Sequence, residues 1–273
     1  MKPYLLGIPS YTLFCGLGCL FFVLFATKRT FSYKQNIPVQ LLIWTVLVWM
    51  SAIGARSFYG FHVSVHSYRF MDYIYPFSQP GYALYGGLLT GTFVVWGIMK
   101  IKKLSFLVIM DQLTPCILLG IAIGRIGCLL GGCCYGKVWE GPWAIYYPVG
   151  SVPHLWQIQN GMISLFKTPL GMHPTPLYEI VVLISFCLFL LFLESRNMLK
   201  RGQLFTMGFC GYSLFRLINL WFRAEPSGDL PKLFYPILYS IIVGVSVYVF
   251  FKTSKVLPNL EVENDCNKAI FDQ

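Results

Sequence analysis

The sequence predicts an all-α, polytopic membrane protein with seven transmembrane helices. Hydrophobic residues make up 56% of its 273 residues and charged residues only 12%, about half the usual charged share of a soluble domain. Apolar windows of about 18 or more residues recur along the chain, and each is long enough to cross a bilayer core roughly 30 Å thick. These runs are continuously apolar and do not alternate with period two, which argues against a β-barrel.

The spans form one predicted transmembrane domain, residues 1–252, and residues 253–273 form a predicted polar cytoplasmic tail. We expect the first span to remain in the mature protein, because Tyr11, Gly16 and Gly18 interrupt the apolar core that a cleavable signal peptide needs. The sequence shows no internal repeat and no separate soluble domain. The predicted spans are 4–26, 38–60, 82–99, 104–131, 174–193, 203–222 and 233–251.

The distribution of basic residues predicts the orientation in the membrane. Short loops on the cytoplasmic side carry an excess of Lys and Arg. With seven spans, the odd-numbered loops carry eleven of these residues and the other side carries six. The N-terminus is therefore predicted outside and the C-terminus inside the cytoplasmic membrane. The net charge of +10 is explained by this topology and by attraction to anionic membrane lipid. No basic stripe with interleaved aromatic residues indicates nucleic-acid binding.

Three arginines, Arg56, Arg125 and Arg216, lie within predicted spans. A charged side chain in hydrocarbon costs at least about 2.5 kcal/mol on insertion, so such residues usually face inward and serve a function. Each lies toward the outer end of a span that runs outward, which predicts that all three reach the level of the outer leaflet. The alternative for each is a guanidinium that only extends to the interface.

Further polar side chains are predicted at the same depth. Tyr212 lies one turn before Arg216, and Arg223 lies two turns after it on the same helix face. Arginine binds phosphate through two parallel N–H groups and cannot lose its charge. The pattern predicts an anion pocket, and a phospholipid head group is the natural anion at that depth. The inward-running spans add Tyr11, Tyr85, His173, Tyr178 and Glu179.

Three of the nine cysteines, Cys128, Cys133 and Cys134, lie at the outer end of the fourth span. The CxxxxCC spacing is neither that of a zinc ribbon nor CxxC, so it is only a weak signal for a metal site. Packing, a disulfide from Cys128 to either neighbour, and redox or nucleophilic chemistry all remain open readings of these thiols.

Several segments, in order, resemble the bacterial prolipoprotein diacylglyceryl transferases. "GRIGCLLGGCCYG" at 124–136 resembles the family signature GRxGNFxNGExxG, and "HPTPLYE" at 173–179 resembles HPxQLYE. "YSLFRLINLWFR" at 212–223 resembles YGLFRxxxExFR. The chain is also similar to the family's first span at 8–18, to its GAR at 53–56 and to its HGGLxG at 85–91.

The resemblance implies an enzyme that binds phosphatidylglycerol and uses no cofactor. It implies transfer of the diacylglyceryl group to the thiol of the lipobox cysteine in a prolipoprotein signal peptide, with release of glycerol 1-phosphate. Such chemistry needs cations beside the leaving phosphate and a base for the thiol. By motif position Arg125 is the family's essential arginine. Arg56, Arg216, Arg223, Tyr212 and Tyr11 also match family positions.

The chain departs from the family at several polar positions. Tyr85 replaces the histidine before GG, Cys128 replaces an asparagine, and Gly131–Gly132–Cys133 replace NGE. Leu220 lies in the register of the acidic residue between the two late arginines, with Asn219 beside it.

These departures bear on the predicted base. Tyr85 is a candidate catalytic residue by position, but a phenol with a pKa of about 10 is a poor base at neutral pH. His173 is therefore the better candidate base, with Glu179 beside it in sequence.

The sequence thus predicts a phosphatidylglycerol-dependent diacylglyceryl transferase that acts on prolipoproteins. Two alternatives stay open. One is a related transferase that uses the same lipid and a different acceptor. The other is a membrane thiol–disulfide enzyme centred on Cys128, Cys133 and Cys134.

Overall fold

The computed structural model describes residues 4–5, 7–30, 36–63, 82–224 and 229–256, and most of these residues are helical. A two-residue antiparallel strand pair, β1 (Tyr4–Leu5) and β2 (Ile8–Pro9), precedes the first helix. The helices are α1 (Ser10–Arg29), α2 (Ile37–Val63), α3 (Leu84–Ile101), α4 (Phe106–Gly131), α5 (Val152–Gln159), α6 (Thr175–Ser195), α7 (Gln203–Phe222) and α8 (Asp229–Val256).

Six of these helices are long and apolar enough to cross a membrane: α1, α2, α3, α4, α6 and α8. They match six of the predicted spans, so the prediction of an all-helical, multi-span protein is confirmed. The remaining predicted span, 203–222, forms the helix α7 but is not among the six. Its polar and charged side chains lower its apolar character, and a count of seven spans stays a prediction.

The first span begins later than the sequence predicted. Tyr4–Leu5 and Ile8–Pro9 form the strand pair, in which Tyr4 lies opposite Pro9 and Leu5 opposite Ile8. Gly7 has a φ of +78°, a backbone conformation that glycine adopts without strain, and it lies in the turn between the strands. The helix begins at Ser10. The sequence predicted that the first span begins at residue 4, but Tyr4, Leu5, Ile8 and Pro9 are extended. The predicted tail lies outside the described residues beyond residue 256.

The chain divides into two compact units. One comprises Cys19–Cys116 and contains α2 and α3, which pack closely through small residues. A Cβ atom on Gly54 would lie 2.0 Å from Thr90 Oγ1, and one on Gly91 would lie 2.6 Å from Ser51 Oγ. Small residues allow such close approach between membrane helices, where apolar burial gives little drive for association.

The other unit comprises Met1–Gly18 and Ile117–Gln273. Here the start of α1 packs against the second half of α4 along a glycine stripe formed by Gly120, Gly124, Gly127 and Gly131. A Cβ atom on Gly18 would lie 2.6 Å from the carbonyl oxygen of Gly120, and one on Gly127 would lie 3.0 Å from Tyr11 Cα. In the same unit α7 packs against α6 and α8.

Gly18 tests this packing. Gly18→Ala places a methyl group against the backbone of α4, and we expect the free energy of unfolding to fall by about 1–3 kcal/mol because the helices must separate. Thermal unfolding in detergent measures the change. Gly16→Ala on the same helix is the control, since no atom lies within 4 Å of its added Cβ. Equal melting temperatures for the two variants would contradict the close contact.

Candidate functional site

A buried carboxylate, Glu179, lies at the centre of the polar cluster in the larger unit. It lies in the first turns of α6, and only 1% of it is exposed. Its Oε1 atom accepts a hydrogen bond from the Tyr212 hydroxyl at 2.6 Å and lies 3.0 Å from Arg125 Nε. Its Oε2 atom accepts a hydrogen bond from Arg216 Nη1 at 3.0 Å. Three helices, α4, α6 and α7, therefore meet on one carboxyl group.

The register of α7 explains why this helix contributes two of these side chains. Tyr212 and Arg216 lie four residues apart and so share one helix face. Both are buried, and the Arg125 side chain from α4 is 11% exposed. The sequence predicted that Arg125, Arg216, Tyr212 and Glu179 lie together, and the structure brings these four together.

Tyr239 completes the surroundings of Arg216 and was missed by the sequence reasoning. Its hydroxyl accepts a hydrogen bond from Arg216 Nη2 at 3.3 Å, and its ring centroid lies 5.8 Å from the guanidinium carbon. It is fully buried in α8 and stacks on Tyr235 one turn earlier. The sequence signal for this contact was the pair of tyrosines, Tyr235 and Tyr239, which lie four residues apart in an apolar helix.

Asn219 was noted in the sequence only as the neighbour of Leu220. It lies one turn after Arg216 on α7 and is 1% exposed. Neither atom of its side-chain amide has a hydrogen-bond partner among the residues that the structure describes, and the same holds for Arg216 Nε. Buried polar groups are almost always hydrogen-bonded, so these atoms indicate a place for a polar ligand beside the cluster.

The loop after α4 connects the site to the ends of α6 and α7. The backbone N–H of Gly136 donates to His173 O at 3.0 Å, and that of Lys137 donates to Phe222 O at 2.8 Å. Gly136 also pairs with Arg223 as an isolated bridge, which fixes the backbone of Arg223 at the end of α7. A Cβ on Gly136 would lie 2.5 Å from His173 Cβ, so only glycine fits here.

His173 lies in this loop region and not in the carboxylate cluster around Glu179. Its Nδ1 is 3.0 Å from the Tyr178 hydroxyl, and its ring contacts the rings of Trp139 and Phe222. Partial burial, and then the nearby Lys137 ammonium, lower the pKa of His173 below its usual value. The imidazole is therefore neutral near pH 7 and able to accept a proton, as the predicted base requires.

The three clustered cysteines lie against Arg125. Its Nη1 is 3.4 Å from Cys134 Sγ and 3.7 Å from Cys128 Sγ. All three cysteines are free thiols, so the disulfide that the sequence left open is not formed in this structure. Hydrogen bonds from the thiols of Cys128 and Cys133, with smaller contributions from Arg223 and Arg125, lower the pKa of Cys134 well below its usual range despite burial.

The remaining predicted site residues lie in different places. Tyr11, in the first turn of α1, lies beside the glycine stripe of α4 and within electrostatic range of the three cysteines. Arg56 and Tyr85 belong to the unit Cys19–Cys116. Arg56 is fully buried with its guanidinium carbon 5.7 Å from the ring centroid of Tyr82, and Tyr85 is buried in the first turn of α3. A site shared by these two residues and Arg125 stays a prediction.

Membrane-length helices around a buried arginine–carboxylate cluster define a polytopic membrane protein with a polar site among its helices. The sequence model of the prolipoprotein diacylglyceryl transferase family matches residues 4–253. The chain belongs to this family, and the family is one of diacylglyceryl transferase enzymes.

Bacterial relatives support the assignment. The phosphatidylglycerol–prolipoprotein diacylglyceryl transferase of Clostridium tetani is 29% identical over 256 residues, which cover 91% of this chain and 97% of that protein. The protein of the same name from Clostridium botulinum is 31% identical over 243 residues, 86% of each chain. The one from Rhodopirellula baltica is 33% identical over 173 residues, 58% of this chain and 34% of that protein.

Glu179→Gln tests the cluster. The amide cannot pair with two guanidinium groups, so uncompensated positive charge stays buried, and we expect a loss of about 3–5 kcal/mol in the free energy of unfolding. Chemical unfolding in detergent measures this loss. Glu140→Gln, at an exposed loop position, is the control and should leave stability unchanged. If both variants unfold alike, the ion pairs do not support the fold.

Proposed function

We propose that this protein is a phosphatidylglycerol–prolipoprotein diacylglyceryl transferase of the bacterial cytoplasmic membrane. It transfers the diacylglyceryl group of phosphatidylglycerol to the lipobox cysteine of a prolipoprotein signal peptide. The observation that carries the proposal is the convergence of Arg125 and Arg216 on Glu179 among membrane-length helices. Membership of the transferase family and the names of its relatives support the same donor and acceptor.

The charges of the cluster suit a phosphodiester. Arg125 and Arg216 carry two positive charges and Glu179 one negative charge, so this group has a net charge of +1. Arg223 adds a further cation within electrostatic range of Glu179. The carboxylate fixes the direction of both guanidinium groups, and their remaining N–H groups can donate to phosphate oxygens. Asn219 adds a buried amide with free hydrogen-bonding capacity.

The reaction exchanges one bond at carbon for another. The acceptor thiol loses its proton to a base, the thiolate forms an S–C bond with the glycerol carbon of the lipid, and the C–O bond to phosphate breaks. The electron pair leaves on glycerol 1-phosphate, whose negative charge increases during the step. Cations placed before the reaction stabilise that charge better than mobile water does. In this proposal Arg125 and Arg216 supply the cations.

The base must be a side chain that can accept a proton from the acceptor thiol near pH 7. His173 is neutral near pH 7 and can take a proton, whereas the Tyr85 phenol is a weak base at that pH. His173 is held by the loop that also contacts the ends of α6 and α7. We therefore assign His173 as the base, and a catalytic role for Tyr85 at the family's histidine position stays a prediction.

The membrane orientation is part of the proposal. The excess of basic residues in the odd-numbered loops places the N-terminus outside and the C-terminus in the cytoplasm. The outer ends of α4 and α7, with Arg125 and Arg216, then lie at the extracytoplasmic side.

Arg125→Lys tests the proposal with purified protein, labelled phosphatidylglycerol and a lipobox peptide. Lysine keeps the charge but loses the planar fork, so we expect transfer to fall by about 100-fold or more. Arg196→Lys, at the exposed end of α6, is the control and should retain transfer. Peptide labelling that is equal in wild type and Arg125→Lys would contradict the role of Arg125. Release of glycerol phosphate without peptide labelling would assign a different acceptor.

A further inference from the structure

Three thiols converge at the outer end of α4, although their spacing in the sequence was only a weak signal for a metal site. The Sγ atoms of Cys128, Cys133 and Cys134 all lie within 4.8 Å of one another. Thiolates bound at about 2.3 Å to a tetrahedral zinc ion lie about 3.8 Å apart. Each pair of sulfur atoms therefore needs to close by no more than about 1 Å to share one ion.

The backbone holds this arrangement. The N–H of Cys133 donates to the carbonyl oxygen of Cys128 at 3.1 Å, which turns the chain back onto the last turn of α4. Gly132 and Cys134 both have positive φ, +70° and +58°. A positive φ is uncommon for a residue other than glycine and costs free energy, and it persists only where the surroundings enforce it. The Thr175 hydroxyl donates to the carbonyl oxygen of Cys134 and fixes it from α6.

The neighbouring charge favours an anionic centre. Arg125 Nη1 lies 3.4 Å from Cys134 Sγ and 3.7 Å from Cys128 Sγ. Three thiolates and one divalent cation carry a net charge of −1, which a guanidinium at this distance balances. A disulfide would join two of the three sulfur atoms and leave the third as a thiol, whereas a bound cation would be coordinated by all three.

We propose that Cys128, Cys133 and Cys134 bind one thiophilic divalent cation of the zinc class through three thiolates. Cys133 and Cys134 are half-buried, and a cation held by the three thiolates would keep its fourth coordination position for the thiol of the acceptor. This role rests on the proposed function. It explains how a thiol is activated in a chain that has Tyr85 in place of the family's histidine.

The step balances without any change of oxidation state. A thiol that coordinates the cation loses its proton to His173 or to water and becomes a thiolate. Its sulfur then forms the S–C bond to the glycerol carbon while the C–O bond to phosphate breaks. The leaving electron pair goes to glycerol phosphate, and the product thioether, a weaker ligand than a thiolate, leaves the cation.

Metal analysis of the full-length protein tests the site without lipid or acceptor. Protein purified in detergent with zinc in the growth medium and no chelator is expected to contain roughly one zinc per chain. Cys128→Ser, Cys133→Ser and Cys134→Ser are each expected to lose most of it. Cys210→Ser, which removes a thiol from α7 outside the cluster, is the control and should keep it.

A second measurement keeps the test valid if a serine variant does not fold. Cobalt(II) added to metal-depleted wild-type protein should give the near-ultraviolet sulfur-to-cobalt charge-transfer band of a thiolate-rich site, and zinc should remove it. Wild-type protein without zinc and without this band, or with a disulfide between two of the three cysteines by mass spectrometry, would overturn the proposal.

Transfer assays separate this proposal from the proposed function. Protein that binds zinc through the cluster but labels no lipobox peptide supports the metal site and contradicts the prolipoprotein transferase. Protein that labels the peptide equally well with and without zinc overturns the role of the site and leaves the transferase intact.

Discussion

The ion pairing of one buried carboxylate with two arginines is the interaction on which the polar centre of this protein depends. Glu179 is 1% exposed and meets Arg125 and Arg216 at 3.0 Å each. A lone charge at that position would carry a desolvation cost of several kcal/mol. Pairing removes much of that cost and also fixes both guanidinium groups. The same contacts that join α4, α6 and α7 therefore orient the cations that the proposed chemistry uses.

Close helix packing makes this geometry attainable. The start of α1 reaches the backbone of α4 because Gly18 and Gly127 carry no side chain. This approach brings Tyr11 to the end of α4 that also carries the cysteine cluster. The loop after α4 then returns over the ends of α6 and α7 through Gly136. The arginines proposed to bind the leaving phosphate and the three thiols of the proposed metal site thus lie next to each other, joined by the contacts of Arg125.

The sequence predicted the helical membrane fold and much of the cluster because charge is rare in apolar spans. Arg125, Arg216 and Glu179 could be selected as functional for that reason alone, and the family motifs supported them. Their pairing could not be predicted, since no spacing indicates that a glutamate on α6 faces arginines on two other helices. Tyr239 was missed because a tyrosine in an apolar helix resembles many interfacial tyrosines.

Other differences have equally local causes. The predicted start of the first span was wrong because Tyr4, Leu5, Ile8 and Pro9 are apolar but extended. Over so few residues, apolar character does not distinguish a strand from a helix. The meeting of Cys128 with Cys133 and Cys134 depends on a positive φ at Cys134, which the sequence does not reveal for a residue other than glycine. The position of His173 depends on backbone pairing with Gly136, which no sequence motif indicates.

The central claim is that the two arginines held by Glu179 bind the phosphate of a membrane lipid. An experimental structure of the protein in nanodiscs of phosphatidylglycerol tests this most directly. We expect a head-group phosphate within hydrogen-bonding distance of both Arg125 and Arg216, with Glu179 still paired to them. Lipid phosphate bound elsewhere, with both guanidinium groups engaged only by protein, would contradict it.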